Sequence, residues 1–467
     1  MPTPIDPVSR GFLFAESRAQ PMHVGGLQLF RKPEGAGRTF VKDLYEEMLD
    51  HQHPAPLFRK RLNRSVATAG QWCWVDDEQF DLEYHVRHSA LPRPGRIREL
   101  LELCGRLHST RLALERPLWE FHLIEGLRDG RVAVYTKMHH ALVDGISAMR
   151  LLQRVLSTDP DERDVAPMWS VDHDRRRTGT RSSGEDRDLR ELPVAAVRSA
   201  LAVSAEAAGL PAALLRTVSR GVRNETSALS FYAPRTHLNT AITGARRFAA
   251  EDWPVERLRA VGKSTGTTIN DVVLAMCSGA MRTYLDELGR LPDASLVAMV
   301  PVSLRPSGAQ EASASGGNAT GAVMARLGTD LSDPADRLRT VHDSMVSGKA
   351  ALASMTPTQI LAMSAIGLAP AVLAPILKVQ GLGRPPFNLV ISNVPGPTAT
   401  HYLNGAPLEG VYPLSIPMHG MGLNITCMSY AGRLGFGLTG CRRTVPHLQR
   451  LLTYLDDELV ALERAAG

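Results

Sequence analysis

The sequence predicts an α/β (α+β) protein made of two similar subdomains with a site between them. Three observations carry that expectation. The chain has 467 residues, more than a single hydrophobic core ordinarily serves. Strand-like and helix-like segments alternate in both halves. A charged stretch without apolar periodicity separates the halves, which divides the chain into 1–156, a connector 157–190, and 191–467.

In the first part, Val24–Phe30 reads as a strand and Phe40–Leu49 as a helix with Val41, Leu44, Tyr45 and Met48 on one face. Ile97–Leu114 is a second amphipathic helix. Val132–Met138 alternates in the manner of a half-buried strand, and Ile146–Leu156 carries Ile146, Met149, Leu152 and Val155 at helical spacing. From Ser157 to about Leu189 the chain is rich in Asp, Glu and Arg and reads as a solvated connector. An Ala/Leu-rich region, 193–222, follows and is broken near Gly209-Leu210-Pro211, which suggests two short helices.

The second part repeats the alternation. Trp253–Thr265 and Asp271–Leu288 read as helices, and Leu296–Val302 and Gly321–Leu327 as strands. Asn388–Asn393 and Asn424–Ser429 are further strands, and Leu448–Leu462 closes the chain as a helix. No GxGxxG follows a strand and no GxxxxGK[ST] occurs, so nucleotide-binding readings fail.

Composition narrows the class. Hydrophobic residues are 44% and charged residues 22%, too apolar for disorder. The net charge is +5, and the densest basic run, Arg175-Arg176-Arg177, lies among Asp172, Asp174, Glu185 and Asp186. Nucleic acid rewards an unbroken basic face, so it is not an expected partner. Five scattered cysteines without CxxC give neither a disulfide framework nor a zinc site, and with no signal-peptide pattern they favour the cytoplasm. Ile360 to Leu377 spans 18 residues without a formal charge, but Gly367, Pro370 and Pro375 break it. A core or interface-lying segment is expected there instead of a membrane span.

The most informative residues are His139-His140-Ala141-Leu142-Val143-Asp144-Gly145, an HHxxxDG pattern between a predicted strand and a predicted helix. An imidazole held there can take the proton of a hydroxyl as that hydroxyl attacks an acyl carbon. Paired histidines can also bind metal, but neighbours in a strand point to opposite faces and no third ligand sits at zinc spacing, so no metal is expected. Asp144 can cap the following helix, and Gly145 can serve a turn.

HHxxxDG is the signature of the coenzyme-A-dependent acyltransferase superfamily, and within it this chain closely resembles the bacterial wax ester synthase/diacylglycerol acyltransferases. The opening Pro7-Val8-Ser9-Arg10-Gly11-Phe12-Leu13, followed by Pro21-Met22-His23-Val24-Gly25, is similar to that family's N-terminal strand. Pro117-Leu118-Trp119-Glu120 resembles its PLW element, Asn270-Asp271 its ND element, and Asn388–Pro397 its NVPGP element. The resemblance covers nearly the whole chain. It implies two chloramphenicol-acetyltransferase-like subdomains with the active-site tunnel at their interface.

The resemblance also implies roles. His140 is then the general base for direct transfer from acyl-CoA to an alcohol, with no acyl-enzyme and no cofactor beyond acyl-CoA as co-substrate. His139 and Asp144 support the loop, and Gly145 leaves room for substrate. Trp119 is a packing residue more than a chemical one. Asn270 either caps its helix or touches substrate, and Asp271 stands with it. Ser392 and Asn393 either donate to an oxyanion or shape the turn before Pro395. Arg305 either meets a coenzyme A phosphate or is a surface residue. The product is triacylglycerol or wax ester, the Arg- and Ala-rich composition mildly favours diacylglycerol as acceptor, and a peripheral membrane or lipid-droplet surface is an expected partner through 194–216 or 360–377. The alternatives are another acceptor, such as a glycolipid or polyketide-like alcohol, and a non-catalytic lipid-binding protein.

Overall fold

The computed structural model describes residues 2–64, 70–143, 151, 155–170, 233–303, 320–355 and 384–467. The first part contributes β1 (Thr3–Pro4), α1 (Pro7–Ala15), β2 (His23–Phe30), α2 (Phe40–Asp50), β3 (Lys60–Arg64), β4 (Trp72–Asp76), β5 (Val86–Ala90), α3 (Ile97–Ser109), β6 (Trp119–Glu125) and β7 (Val132–His139). The second contributes β8 (Arg246–Pro254), α4 (Val255–Thr265), α5 (Ile269–Glu287), β9 (Val297–Ser303), β10 (Thr320–Arg326) and α6 (Pro334–Ala353). It continues with β11 (Leu389–Val394), β12 (Tyr402–Leu403), β13 (Ala406–Leu414), β14 (Leu423–Tyr430), β15 (Arg433–Cys441) and α7 (Arg450–Ala466).

Among the described residues these strands form two six-stranded sheets and a small sheet ordered β1-β4-β3. One large sheet runs β10-β9-β11-β14-β15-β8 and the other β12-β13-β2-β7-β6-β5. Both are mixed. β9, β11 and β14 run parallel in the former, and β5 runs parallel to β6 in the latter.

The second order joins strands from both sides of the division expected at residue 190. β12 and β13 come from the C-terminal part, yet β13 pairs antiparallel with β2 from Leu408↔Phe30 to Leu414↔Gly25. The chain crosses back to cover an edge of the first sheet that would otherwise expose unpaired backbone groups. The first residues of the connector pack on the first sheet. Within 157–170, Ser157 bridges Tyr402, and Met168 and Trp169 are buried against Trp119, because a Trp–Met pair removes much apolar area from water. The rest of the connector, the 193–222 region, the 360–377 segment and most of the predicted helix 146–156 lie outside the described residues.

Other expectations shift by smaller amounts. The opening stretch Pro7–Ala15 is a helix, and the strand starts only at His23. Ile97–Leu114 is helical only to Ser109, since the Lys137 ammonium takes the carbonyls of Leu107 and Thr110 and ends the helix there. β7 is buried on both faces, not one, because it lies mid-sheet with α2 on one side and α3 and β8 on the other.

The C-terminal helices pack around α5. Thr268 caps α5, its hydroxyl accepting the Asp271 N–H, and Asp271 returns the bond to the Thr268 N–H at 2.9 Å. Gly279 on α5 leaves the space into which Glu458 of α7 reaches to pair with Arg337 of α6 at 2.6 and 2.8 Å. Only a residue without Cβ leaves room for that buried pair, in which the Arg337 Nη2 donates to both carboxylate oxygens.

The two large sheets meet where β15 passes β13. Gly435 and Gly437 face the backbone carbonyls of Val411 and Pro413 so closely that a Cβ would overlap them. Gly437→Ala is therefore expected to lower stability by about 3 kcal/mol, at the upper end of overpacking costs. Gly11→Ala in α1, with nothing within 4 Å, is expected to leave stability unchanged or slightly raised. Urea unfolding midpoints of the two variants check the pair, and equal midpoints would refute the close approach of the sheets.

Candidate active site

The HH pair sits where β7 ends, and several independent contacts hold it. His139 is in register with His23 of β2, and its N–H donates to the Leu118 carbonyl at 3.0 Å. The chain then turns, with the N–H groups of Leu142 and Val143 donating to the His139 carbonyl. The His139 ring joins this turn, since Nδ1 accepts the Ala141 N–H at 3.0 Å. In a neutral imidazole the proton then resides on Nε2, which faces Glu16 Oε1 at 3.7 Å. Burial, followed by the charges of His140 and Arg111, pushes the His139 pKa down to about 3. His139 is thus a neutral, fully buried part of the turn.

His140 follows with a different exposure. Its N–H donates to the Met22 carbonyl at 2.8 Å, and its ring stacks on Phe12 of α1 with centroids 4.0 Å apart and planes 20° apart. The ring is half-buried. A pinned backbone and one covered ring face leave an oriented imidazole that can exchange a proton with a group beside it.

Beneath the pair lies a layer of buried polar groups. His23 Nε2 donates to the His108 carbonyl at 2.9 Å; His108 Nε2 donates to the Ser415 carbonyl at 3.2 Å and its Nδ1 accepts from the Tyr135 hydroxyl. Burial lowers both rings, His108 to about 3 and His23 well below its ordinary value. Lys137, wholly buried, pairs with Glu120 at 2.8 Å. Burial opposes ionisation of Glu120, but the His122 hydrogen bond and the Lys137 charge overcome it and hold the carboxyl at about 2.

The second half of the chain touches this same corner. The His419 N–H donates to Gln20 Oε1 at 2.7 Å, two residues from the Met22 that holds His140. Met418 packs against the core of the first sheet and also against a cluster of Val297, Met324, Phe387, Val390 and Met421 in the second. The segment that holds His140 is therefore tied to the second half of the chain, which also sends Met418, a side chain that adapts readily in shape, against the core of the first sheet.

The remaining sequence-predicted residues are distributed as follows. Trp119 is fully buried, stacked between His85 and Trp169, and its Nε1–H donates to the Phe58 carbonyl. The PLW element reaches the HH pair through the Leu118 carbonyl. Asn270 is not the cap of its helix, since Thr268 is; Asp271 pairs with His342 of α6 at 3.0 Å. Ser392 and Asn393 are half-buried on β11 opposite Thr426 and Cys427, so they belong to the strand, and the turn after them is closed by the Gly396 N–H donating to the Ser429 hydroxyl. Asn388 ties Val297, Pro234 and Asn239 together. Asp144, Gly145 and Arg305 lie outside the described residues. Among those described, no group of three or more His, Cys, Asp or Glu could hold a metal ion.

Sequence reading missed Phe12, Glu16, Met22 and Arg111 as neighbours of the pair. Only the bunching of Phe12, Glu16 and Met22 before β2 hinted at them, and nothing local pointed to Arg111.

Comparison with known proteins supplies independent findings. Residues 5–273 match the model of the wax ester synthase/diacylglycerol acyltransferase catalytic domain, and residues 316–463 match the model of the WS/DGAT C-terminal domain. A Mycobacterium tuberculosis protein named a probable diacylglycerol O-acyltransferase is 46% identical over 456 residues, covering 98% of each chain. The structure of the wax ester synthase/diacylglycerol acyltransferase from Marinobacter aquaeolei VT8 aligns over 100% of both chains with a TM-score of 0.77 and 42% identity. The first condensation domain of the CDA synthetase aligns over 100% of this chain and 97% of its own, with a TM-score of 0.57 and 16% identity, a likeness of fold alone.

Proposed function

Because the chain belongs to the wax ester synthase/diacylglycerol acyltransferase family, we propose that it transfers a fatty acyl group from coenzyme A to a lipid alcohol. Diacylglycerol is the favoured acceptor and a long-chain alcohol the second, so the product is triacylglycerol, wax ester or both. The observation that carries this reading is the placement of His140, half-exposed, backbone-pinned to Met22 and stacked on Phe12, where the halves of the chain meet.

In the proposed mechanism a His140 ring nitrogen accepts the acceptor's hydroxyl proton while the oxygen attacks the thioester carbonyl. A tetrahedral intermediate forms, the C–S bond breaks, and the coenzyme A thiolate recovers the proton from the imidazolium. One ester and one thiol result, with no acyl-enzyme and no cofactor. The cysteines have no role in this scheme. All five are buried, and burial pushes the Cys104, Cys277 and Cys427 thiols up, away from nucleophilic character. Ser392 and Asn393 are candidates to meet the oxyanion: among the described residues no hydrogen bond claims their side chains.

Both substrates are lipids, so we place the working protein at a membrane or lipid-droplet surface. No helix among the described residues is long and apolar enough to cross a membrane, which fits peripheral contact. The test is direct. Purified protein is incubated with palmitoyl-CoA and either diacylglycerol or hexadecanol while thiol release is followed and lipids are separated. Ester formation with release of free thiol supports the proposal, and the faster acceptor names the product. No thiol release with either alcohol refutes it.

A further inference from the structure

Among the described residues, the carboxylate that faces the HH turn is Glu16, and it is not part of the HHxxxDG pattern. Its side chain is 1% exposed, as is expected only of a charge with a partner. Oε2 accepts from Arg111 at 3.0 Å. Oε1 has no hydrogen-bond partner and points at His139 Nε2, which has none either, across 3.7 Å.

From this arrangement we infer that Glu16 is a positioning residue: anchored by Arg111, it holds His139 in the Nε2–H tautomer, which leaves Nδ1 free to fix the turn that carries His140. At 3.7 Å the contact is electrostatic and not a hydrogen bond. It selects the tautomer nonetheless, because the alternative fails at both ends of the ring. An Nδ1–H would face the Ala141 N–H, donor against donor, and a bare Nε2 would face the carboxylate. In a buried site neither mismatch is relieved by water. Burial, with the Arg111 guanidinium nearby, keeps a second proton off His139. The ring is held neutral and in one orientation, and with it the turn at Ala141.

This inference rests on His140 being the base, and its test separates the two claims. Glu16→Gln keeps the shape and removes the charge. It is expected to lower kcat about ten- to a hundredfold, the scale of a small misplacement of a reacting group, while KM for acyl-CoA stays within about twofold, since Glu16 lies beneath the turn away from solvent. In His139→Asn the side-chain amide oxygen can still accept from Ala141 but no group reaches Glu16. Adding Glu16→Gln there is expected to change the residual rate no further. A role confined to general stability would reduce activity equally in both backgrounds, and that result, or a parental kcat for Glu16→Gln, overturns the inference. Nitrogen-15 spectra of histidine-labelled protein give a readout independent of turnover, with the His139 signals identified by their loss in His139→Asn. A protonated Nε2 with a bare Nδ1 in the unmodified protein supports the inference even if Glu16→Gln does not fold or no acceptor is turned over, whereas the reverse tautomer or a doubly protonated ring overturns it.

Discussion

His140→Ala is expected to lower kcat by about 10²- to 10⁴-fold, the range a positioned general base contributes. The loss follows from what the substitution removes and what it leaves. The His140 N–H still donates to Met22, and the neighbouring His139 still closes the turn, since neither contact uses the His140 ring. The stacking on Phe12 is lost, but at a half-exposed position that costs only about 1 kcal/mol. The protein is thus expected to fold with nearly parental stability and bind acyl-CoA with similar KM, yet turn over slowly. Initial rates of thiol release, beside a urea midpoint for each protein, separate the two effects. A variant as active as the parent would remove His140 from the chemistry and make lipid binding without catalysis the better reading.

The second large effect is acid lability. His23, His108 and His139 are at most 2% exposed, and burial keeps all three neutral in the fold, with His108 and His139 at about 3. An unfolded histidine titrates near 6.5. Below that pH the unfolded chain binds protons that the folded chain refuses, so stability falls as pH falls, starting at about 6.5 and continuing toward about 3. By pH 5 the His108 and His139 rings each favour the unfolded state by about 2 kcal/mol, and His23 acts in the same direction. The first two alone amount to about 4 kcal/mol, a large share of the whole stability of many proteins. Glu120 does not confuse the window. Its folded pKa is depressed from 4.5 to about 2, so its contribution is intact above about 4.5 and is lost only at lower pH. Unfolding midpoints measured from pH 8 to pH 5 are expected to be flat above about 7 and to drop steeply below 6.5. A constant midpoint down to pH 5 would mean that these rings accept protons within the fold.

The local pattern carried much of this protein. Strand and helix positions follow from periodicity wherever one face is apolar, as in α2, whose Val41, Leu44 and Met48 all turn inward. The strand ending at His139 and the turn after it were legible because the HH pair stands at a change of period. Elements with weak local signals escaped. β8 and β15, which hold Arg, Gly, Asp and Thr, are not among the strands expected from the sequence, yet they pair along nine positions because each completes the other's ladder. α3 reads longer than it is because Leu112 and Leu114 continue the apolar pattern beyond the point where Lys137 takes its last carbonyls.

By itself the sequence determined the family and the two-part α/β alternation, and it singled out His140 as the base we propose, since each is written in residues close together along the chain. The tertiary structure alone decided that β13 crosses to the first sheet, that Trp169 leaves the connector for the core, and that Glu16 and Arg111 converge on His139. These arrangements join residues up to several hundred positions apart. They are selected by burial, by the pairing of strand edges and by the cost of leaving a polar group without a partner, and a local run of residues records none of these.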